Sequence, residues 1–204
     1  IDTATYANSA TGVTVDLGDS SKNAGGEAQG DVLMSIENLI GSDKADTLVG
    51  DGNANVLDGG GGGDTLVAEC GIDTLLGGTG DDILDLGHDF TAADKIDGGA
   101  DSDTLLLDGN YSLGVVLGAT TVVNVEEFVL ADGNSYKLTL NDATTGVILT
   151  VDGSALTGTN SLVLNGAAET SGFLNVLGGA GGDSLTGGGG HDILTGGAGN
   201  DTLT

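Results

Sequence analysis

Aspartates recur at a fixed interval in two stretches of this sequence. Residues 41–85 and 178–204 divide into nine-residue units, and the sixth residue of nearly every unit is an aspartate. After a three-residue slip at 86–88, two further units continue the frame through residues 89–106. The sixth-position residues are Asp46, Asn55, Asp64, Asp73, Asp82, Asp94, Asp103, Asp183, Asp192 and Asp201. Carboxylates repeated in this way could hold a row of hard divalent cations.

Glycines precede most of these aspartates, at the first, second and fourth positions of the unit. Glycine tolerates positive φ and close backbone approach, so such a turn can present several carbonyl oxygens to one side. Calcium accepts roughly six to eight oxygen ligands from carboxylates and carbonyls alike. The sequence therefore predicts calcium sites that combine the sixth-position residues with Gly59, Gly60, Gly62, Gly77, Gly78, Gly80, Gly98, Gly178, Gly179, Gly181, Gly187, Gly188, Gly190, Gly196, Gly197 and Gly199. A single aspartate in a glycine turn is usually a turn former, and the recurrence favours metal binding instead.

Other chemistry receives less support from the residue types. Zinc or copper would need histidine and cysteine ligands, and His88, His191 and Cys70 do not cluster in the sequence. We therefore interpret Cys70 and His191 as exposed side chains at variable turn positions. Glu126 and Glu127 are adjacent carboxylates, but neighbouring strand residues point to opposite faces, which argues against a catalytic pair.

The elements that position these aspartates are very short strands. Positions seven to nine of each unit favour β structure, and the eighth residue is apolar throughout. Two units would form one coil of strand, turn, strand and turn, and successive coils would stack as parallel strands. The buried leucines would then form two ladders, Leu48–Leu66–Leu84 and Leu57–Leu75. The expected fold class is all-β.

The units GGAGGDSLT, GGGGHDILT and GGAGNDTLT match the pattern G-G-x-G-x-D-x-U-x in full, and five earlier units match it nearly. This pattern resembles the RTX family of calcium-binding nonapeptide repeats. The resemblance implies a right-handed parallel β-roll, or β-solenoid, in which each ion lies between turns stacked one coil apart. The pairs it implies are Asp46 with Asp64, Asp64 with Asp82, Asn55 with Asp73 and Asp183 with Asp201, whereas Asp192 lacks a partner coil. The Asn55/Asp73 site is expected to be the weakest, because Asn55 has no charge and Ala68-Glu69 replace two glycines.

The pattern divides the chain into four parts. We predict irregular capping coils at 1–40, a first RTX array at 41–106, a calcium-poor β-solenoid bridge at 107–177 and a second, truncated array at 178–204. Strand-like runs in the bridge begin at Val115, Val122, Phe128, Lys137, Val147, Leu162 and Phe173. An inserted β-sandwich is the alternative for this part of the chain.

Composition limits the partners. The net charge is −27, from 31 acidic residues against four lysines and no arginine, which leaves no basic patch for nucleic acid. No apolar run is long enough to span a bilayer, so we expect no membrane insertion. The chain begins at Ile1 without a signal peptide, and we expect it to be a piece of a longer protein.

These observations favour a structural calcium-binding module of a secreted or cell-surface bacterial protein. The resemblance implies export by a type I system followed by folding on extracellular calcium. The expected partners are calcium and the remainder of a larger secreted polypeptide. The alternative is an adhesive or glycan-binding module of an adhesin, a surface-layer protein or a polysaccharide-modifying enzyme. We predict no enzymatic activity, since the lyases and epimerases of parallel β-helix type need cationic side chains that this chain mostly lacks.

Overall fold

The computed structural model describes residues 1–118, 120–141, 148–170 and 172–204. Within these residues the chain is a parallel β-solenoid of about eight turns, with two three-residue 3-10 turns and no α-helix. The 3-10 turns are Ser20–Lys22 and Gly26–Ala28. The all-β solenoid expected from the sequence is confirmed. The strand predicted from Val147 is described only from Ile148, because Val147 lies outside the described residues.

The strands of the described residues form three parallel sheets. The long sheet contains, in spatial order, β2 (Thr14–Asp16), β4 (Thr47–Val49), β6 (Thr65–Val67), β8 (Ile83–Asp85), β10 (Thr104–Leu107), β13 (Glu127–Leu130), β15 (Ile148–Asp152), β17 (Phe173–Gly179) and β19 (Ile193–Gly197). The N-terminal sheet contains β1 (Thr3–Thr5), β3 (Asn38–Ile40), β5 (Val56–Gly61), β7 (Thr74–Thr79), β9 (Lys95–Ala100) and β12 (Val122–Val123). The C-terminal sheet contains β11 (Tyr111–Leu117), β14 (Tyr136–Leu140), β16 (Leu162–Asn165), β18 (Ser184–Thr186) and β20 (Thr202–Leu203).

Apolar residues in register form the core between the sheets. Leu48, Leu66 and Leu84 are consecutive register partners in the long sheet, and Leu57 pairs with Leu75 in the N-terminal sheet. These five leucines are fully buried, so both predicted ladders are confirmed. The ladder in the long sheet continues in both directions through Val15, Leu105, Phe128, Val151, Val176 and Leu194. Each buried leucine contributes about 2 kcal/mol through the apolar surface removed from water.

Strand length differs between the two faces of the first array. The prediction of three-residue strands is correct for β4, β6 and β8 in the long sheet. It is wrong for β5, β7 and β9, which have six residues each. On this face the glycines of the following turn continue the pairing, with Gly60 opposite Gly78 and Gly78 opposite Gly99. Glycine permits this because it has no side chain to separate the stacked backbones.

The coils change in length along the solenoid. Hydrogen-bonded positions in successive coils are 18 residues apart at Asp46 and Asp64, and 21 apart at Asp73 and Asp94, where the slip occurs. The separation is 23 residues between Asp103 and Glu126. Strand β13 pairs in parallel with β10 and with β15, so the long sheet runs without a break from the first array into residues 107–177. This pairing fits the solenoid and not an inserted β-sandwich, and the limits of the four parts remain predictions.

Candidate calcium sites

One carboxylate oxygen of each sixth-position aspartate joins two successive coils. The backbone amide of Asp46 donates a hydrogen bond to Oδ1 of Asp64 over 2.8 Å, and the amide of Asp64 donates to Oδ1 of Asp82 over 2.7 Å. The same contact links Asn55 to Asp73, Asp73 to Asp94, Asp82 to Asp103 and Asp183 to Asp201. The four pairs implied by the sequence are therefore in contact, one coil apart.

The second oxygen separates seven of the nine sixth-position aspartates into two groups. Among the described residues, Oδ2 is buried without a hydrogen-bond partner in Asp64, Asp82, Asp103 and Asp183. In Asp46, Asp94 and Asp192 the same oxygen accepts a hydrogen bond from a backbone amide of its own turn. A buried carboxylate oxygen without a partner costs free energy, so such an atom is a candidate cation ligand.

Each unpartnered oxygen lies beside a backbone carbonyl of the next coil. A Cβ built on Gly59 would collide with Oδ2 of Asp64 and would lie 2.7 Å from the carbonyl oxygen of Gly77. A Cβ on Gly178 would collide with Oδ2 of Asp183 and would lie 2.5 Å from the carbonyl oxygen of Gly196. We call each such place, where a first-position glycine faces a carboxylate and a carbonyl oxygen, a cradle. This donor set suits a hard cation such as calcium rather than a soft metal.

The cradles at Gly77 and Gly98 repeat this arrangement with one departure. A Cβ on Gly77 would collide with Oδ2 of Asp82 and the carbonyl oxygen of Gly98. A Cβ on Gly98 would lie 2.5 Å from Oδ2 of Asp103 and would collide with the carbonyl oxygen of Asn124, which lies outside the predicted arrays.

The turn glycines serve two different purposes. Of the predicted glycines, those with positive φ occupy second and fourth positions: Gly60, Gly62, Gly78, Gly80, Gly179, Gly190, Gly197 and Gly199. At Gly78 φ is +110°, and a Cβ would collide with the carbonyl oxygen of Gly60 in the previous coil. The first-position glycines, such as Gly59, do not have positive φ, and the reason for glycine there is the room it leaves in the cradle.

Burial raises the pKa of several of these carboxyls. Desolvation raises the pKa of Asp64 from 3.8 to about 7, against the hydrogen bond from the Asp46 amide, and the neighbouring carboxylates raise it further. Desolvation also raises the pKa of Asp73 and of Asp103 to about 6, and raises that of Asp82 and of Asp183. A bound cation would favour the ionised form of these groups, so protons and cations compete for them.

Asn55 differs from the aspartates in its contacts. Its Oδ1 accepts a hydrogen bond from the amide of Asp51 over 2.8 Å, and its Nδ2 donates to the carbonyl oxygen of Glu37 over 2.9 Å. The amide suits this position because the previous coil presents a carbonyl oxygen there. These contacts agree with the expectation that the Asn55/Asp73 position binds calcium least well, and that expectation remains a prediction.

Sequence reasoning missed Glu126 as a member of the carboxylate row. The amide of Asp103 donates to Oε2 of Glu126 over 2.9 Å, which is the contact that an aspartate makes in the other coils. Glu126 directly precedes β13, just as Asp103 directly precedes β10. A carboxylate immediately before a strand is the sequence feature that could have identified Glu126. Asn124, which supplies the carbonyl to the Gly98 cradle, has a φ of +52°.

The second array is also joined to the bridge. Asp192, for which the sequence offered no partner coil, accepts a hydrogen bond on Oδ1 from the amide of Leu174 over 3.1 Å. Asp183 accepts one from the amide of Leu162 over 2.8 Å. Bridge coils without the motif therefore present backbone amides to the aspartates of the array.

The prediction that cysteine and histidine do not cluster is wrong for Cys70 and His88. One ligand atom from each of Cys70, His88 and Asp89 lies within 4.8 Å of the other two. A hydrogen bond to Asp89 and burial raise the pKa of the Cys70 thiol. His191 is exposed, as expected, and stacks on Phe173 with ring centroids 5.9 Å apart.

The stacked coils and their rows of inward carboxylates define a calcium-binding β-roll module. The family model of the RTX calcium-binding nonapeptide repeat matches in four copies, at residues 35–66, 71–89, 91–110 and 175–203. The chain belongs to this family, whose repeats bind calcium and whose role is structural. Comparison with curated proteins gives no match. No helix in the described part of the chain has the length and apolar character needed to cross a membrane.

Proposed function

We propose that this chain is a structural module that folds on extracellular calcium and thereby supports the secretion and stability of a larger protein exported by a type I system. The observation that supports the proposal best is the set of buried, unpartnered Oδ2 atoms in the stacked turns. Its members belong to both predicted arrays, which supports cation binding in each of them.

The proposed ligands come from adjacent coils. One ion would be held by Asp64 with the carbonyl of Gly77, the next by Asp82 with the carbonyl of Gly98. In the second array Asp183 and the carbonyl of Gly196 would hold another. Calcium would supply positive charge between carboxylates and would join two coils through their oxygens. The remaining sixth-position residues and turn glycines predicted from the sequence stay in the proposal as further ligands.

Folding would depend on calcium because the metal-free chain opposes its own compaction. The net charge of −27 repels itself, and several carboxyls are buried against their desolvation cost. Ordering the glycine turns costs about 1–2 kcal/mol per residue, which the thin leucine core offsets only in part. Metal binding and folding are then one process. A chain disordered at low cytoplasmic calcium would pass through an exporter and fold outside.

The proposal assigns no catalytic role to the chain and places it outside the bacterial cell. RTX repeat proteins are typically secreted, and this agrees with the placement. The role in type I secretion is tested by export of the chain in cells that carry such a system. Export yield should fall when external calcium is removed, whereas a yield independent of calcium would contradict it.

Folding itself is tested on the purified chain. Far-ultraviolet circular dichroism is recorded in chelator, in millimolar magnesium and in millimolar calcium, and calorimetry counts the bound ions. We expect the β signal only in calcium, because magnesium screens charge equally but accepts a carbonyl-rich, irregular shell reluctantly. An equal β signal in chelator would overturn the proposal.

A further inference from the structure

The geometry points to a second kind of metal site, formed by Cys70, His88 and Asp89, that takes a borderline-soft divalent cation such as zinc. The cluster is separate from the calcium cradles and contains no sixth-position aspartate. It lies at the place where the three-residue slip lengthens a coil from 18 to 21 residues.

The solenoid register places Cys70 beside His88. Strand β6 ends at Val67 and its partner β8 ends at Asp85, with these two residues paired. Cys70 and His88 each follow their strand by three residues, so they occupy equivalent positions in adjacent coils. Parallel strands lie about 4.8 Å apart, which is the separation that lets two side chains reach one ion. The period that stacks the aspartates therefore also stacks this thiol and this imidazole.

Asp89 completes the group from the lengthened segment. Nε2 of His88 lies 3.7 Å from Oδ1 of Asp89, so the imidazole already faces this carboxylate. One ligand atom from each residue lies within 4.8 Å of the other two. Zinc–ligand bonds are about 2.0–2.3 Å long, so small side-chain rotations bring the three atoms to bonding distance.

Glycines occupy the equivalent positions in the coils on either side of the cluster. Gly52 occupies the position equivalent to Cys70 in the previous coil, and a Cβ there would meet nothing within 4 Å. Gly109 follows His88 by one coil, and a Cβ there would lie 2.5 Å from the His88 Cα. The histidine backbone thus packs against a residue that has no side chain, while its imidazole stays exposed.

The donor set distinguishes this site from the calcium cradles. Thiolate and imidazole bind zinc in preference to calcium, which takes oxygen ligands. Acidic side chains surround the site and favour a cation, since Glu69, Asp85 and Asp108 line an adjacent cavity of about 220 Å³ together with His88. Three protein ligands leave one position of a tetrahedral zinc for water. The bound metal would tie the lengthened coil to the coil before it.

Cobalt(II) is the probe, because a thiolate ligand gives it a charge-transfer band that carboxylates do not. The whole chain, saturated with calcium and kept reduced by a phosphine, is titrated with cobalt and then with zinc. We expect one cobalt per chain with a thiolate band, displaced by zinc. Cys70→Ser should abolish the band, and His88→Ala should weaken binding about tenfold or more. The control is His191→Ala, an exposed histidine outside the cluster, which should leave binding unchanged.

Circular dichroism in calcium, recorded on each variant, shows whether the β-roll is intact. A calcium-folded chain without the thiolate band would overturn the zinc site and leave the calcium proposal standing. Equal loss in His191→Ala and His88→Ala would also overturn it. A chain that fails to fold in calcium would contradict the proposed function instead. The zinc site needs the stacked coils, so zinc should then bind that unfolded chain without a defined stoichiometry, and a defined one-to-one site there would overturn the zinc proposal.

Discussion

The backbone amide of Asp46 donates a hydrogen bond to Oδ1 of Asp64, one coil further along the solenoid, over 2.8 Å. The other oxygen of Asp64, Oδ2, is buried and has no hydrogen-bond partner. One side chain thus has two roles, since its first oxygen joins the coils and its second is the proposed calcium ligand. Substitutions can separate the two roles.

Replacing Asp64 by asparagine keeps an acceptor for the Asp46 amide and removes the charged ligand. We expect the calcium concentration at the midpoint of folding to rise about tenfold, because fewer charged ligands weaken calcium binding. Asp64→Ala should be worse, since it also leaves the buried Asp46 amide unpaired, which costs about 1–3 kcal/mol. The measurement is a calcium titration followed by circular dichroism.

The matched control is Asp43→Asn, which removes the same charge from an exposed side chain in the coil before. Its midpoint should stay close to that of the unmodified chain. Similar shifts for Asp43→Asn and Asp64→Asn would mean that general repulsion, not a specific ligand, governs the calcium dependence.

Replacing Glu126 by glutamine tests whether the calcium row extends beyond the last nonapeptide. The substitution keeps an acceptor for the Asp103 amide, so the coil contact can persist while the charge is lost. We expect calorimetry to count one calcium fewer, or that ion to bind at least about tenfold more weakly. Glu127→Gln is the control, because Glu127 contacts Asp103 through its backbone amide, which the substitution leaves in place. An unchanged ion count and affinity in Glu126→Gln would end the row at Asp103.

Shortening a ladder residue tests the core. Leu66 is fully buried between Leu48 and Leu84, so Leu66→Ala should lower the free energy of unfolding in calcium by about 2–5 kcal/mol. Ile83, on the neighbouring strand, is 44% exposed, and Ile83→Ala should cost less than about 1 kcal/mol. Urea unfolding at saturating calcium gives both values. Equal costs would contradict the inward orientation of the ladder.

The stability of the metal-free fold should depend on pH. The pKa of Asp64 is about 7 in the folded, metal-free chain against an ordinary value of 3.8, so protonation favours that folded form. Its contribution is fully present below about pH 4 and is lost as the pH rises through about 7. In chelator, where we expect the chain to be largely unfolded at neutral pH, the β signal should therefore increase as the pH falls from about 7 to about 4.

Circular dichroism in chelator at several pH values in this window gives the dependence. Asp64→Asn should flatten it, because the substitution removes a carboxyl whose pKa burial raises to about 7. A β signal in chelator that does not change between pH 7 and pH 4 would contradict the raised pKa of the buried carboxyl.

Much of the first array follows from the sequence because its coil length is constant, at 18 residues, as far as the slip at 86–88. A residue and its neighbour one coil later are 18 positions apart, so Leu48 must meet Leu66 and Asp46 must meet Asp64. The inward leucines and the aspartate row are therefore readable from the period alone. The solenoid in the bridge was predicted from its strand-like runs, although its register was not.

The sequence by itself determined the all-β class, the aspartate rows and the leucine ladders, since these depend only on a repeated spacing. Only the tertiary structure decided which carboxylate oxygen keeps a partner, since the donors come from other coils and turns. It also decided that Glu126 follows Asp103 in the row, because that coil has 23 residues and no motif marks its register. The meeting of Cys70 with His88 and Asp89 has the same cause, since it depends on how the lengthened segment folds back against the coil before it.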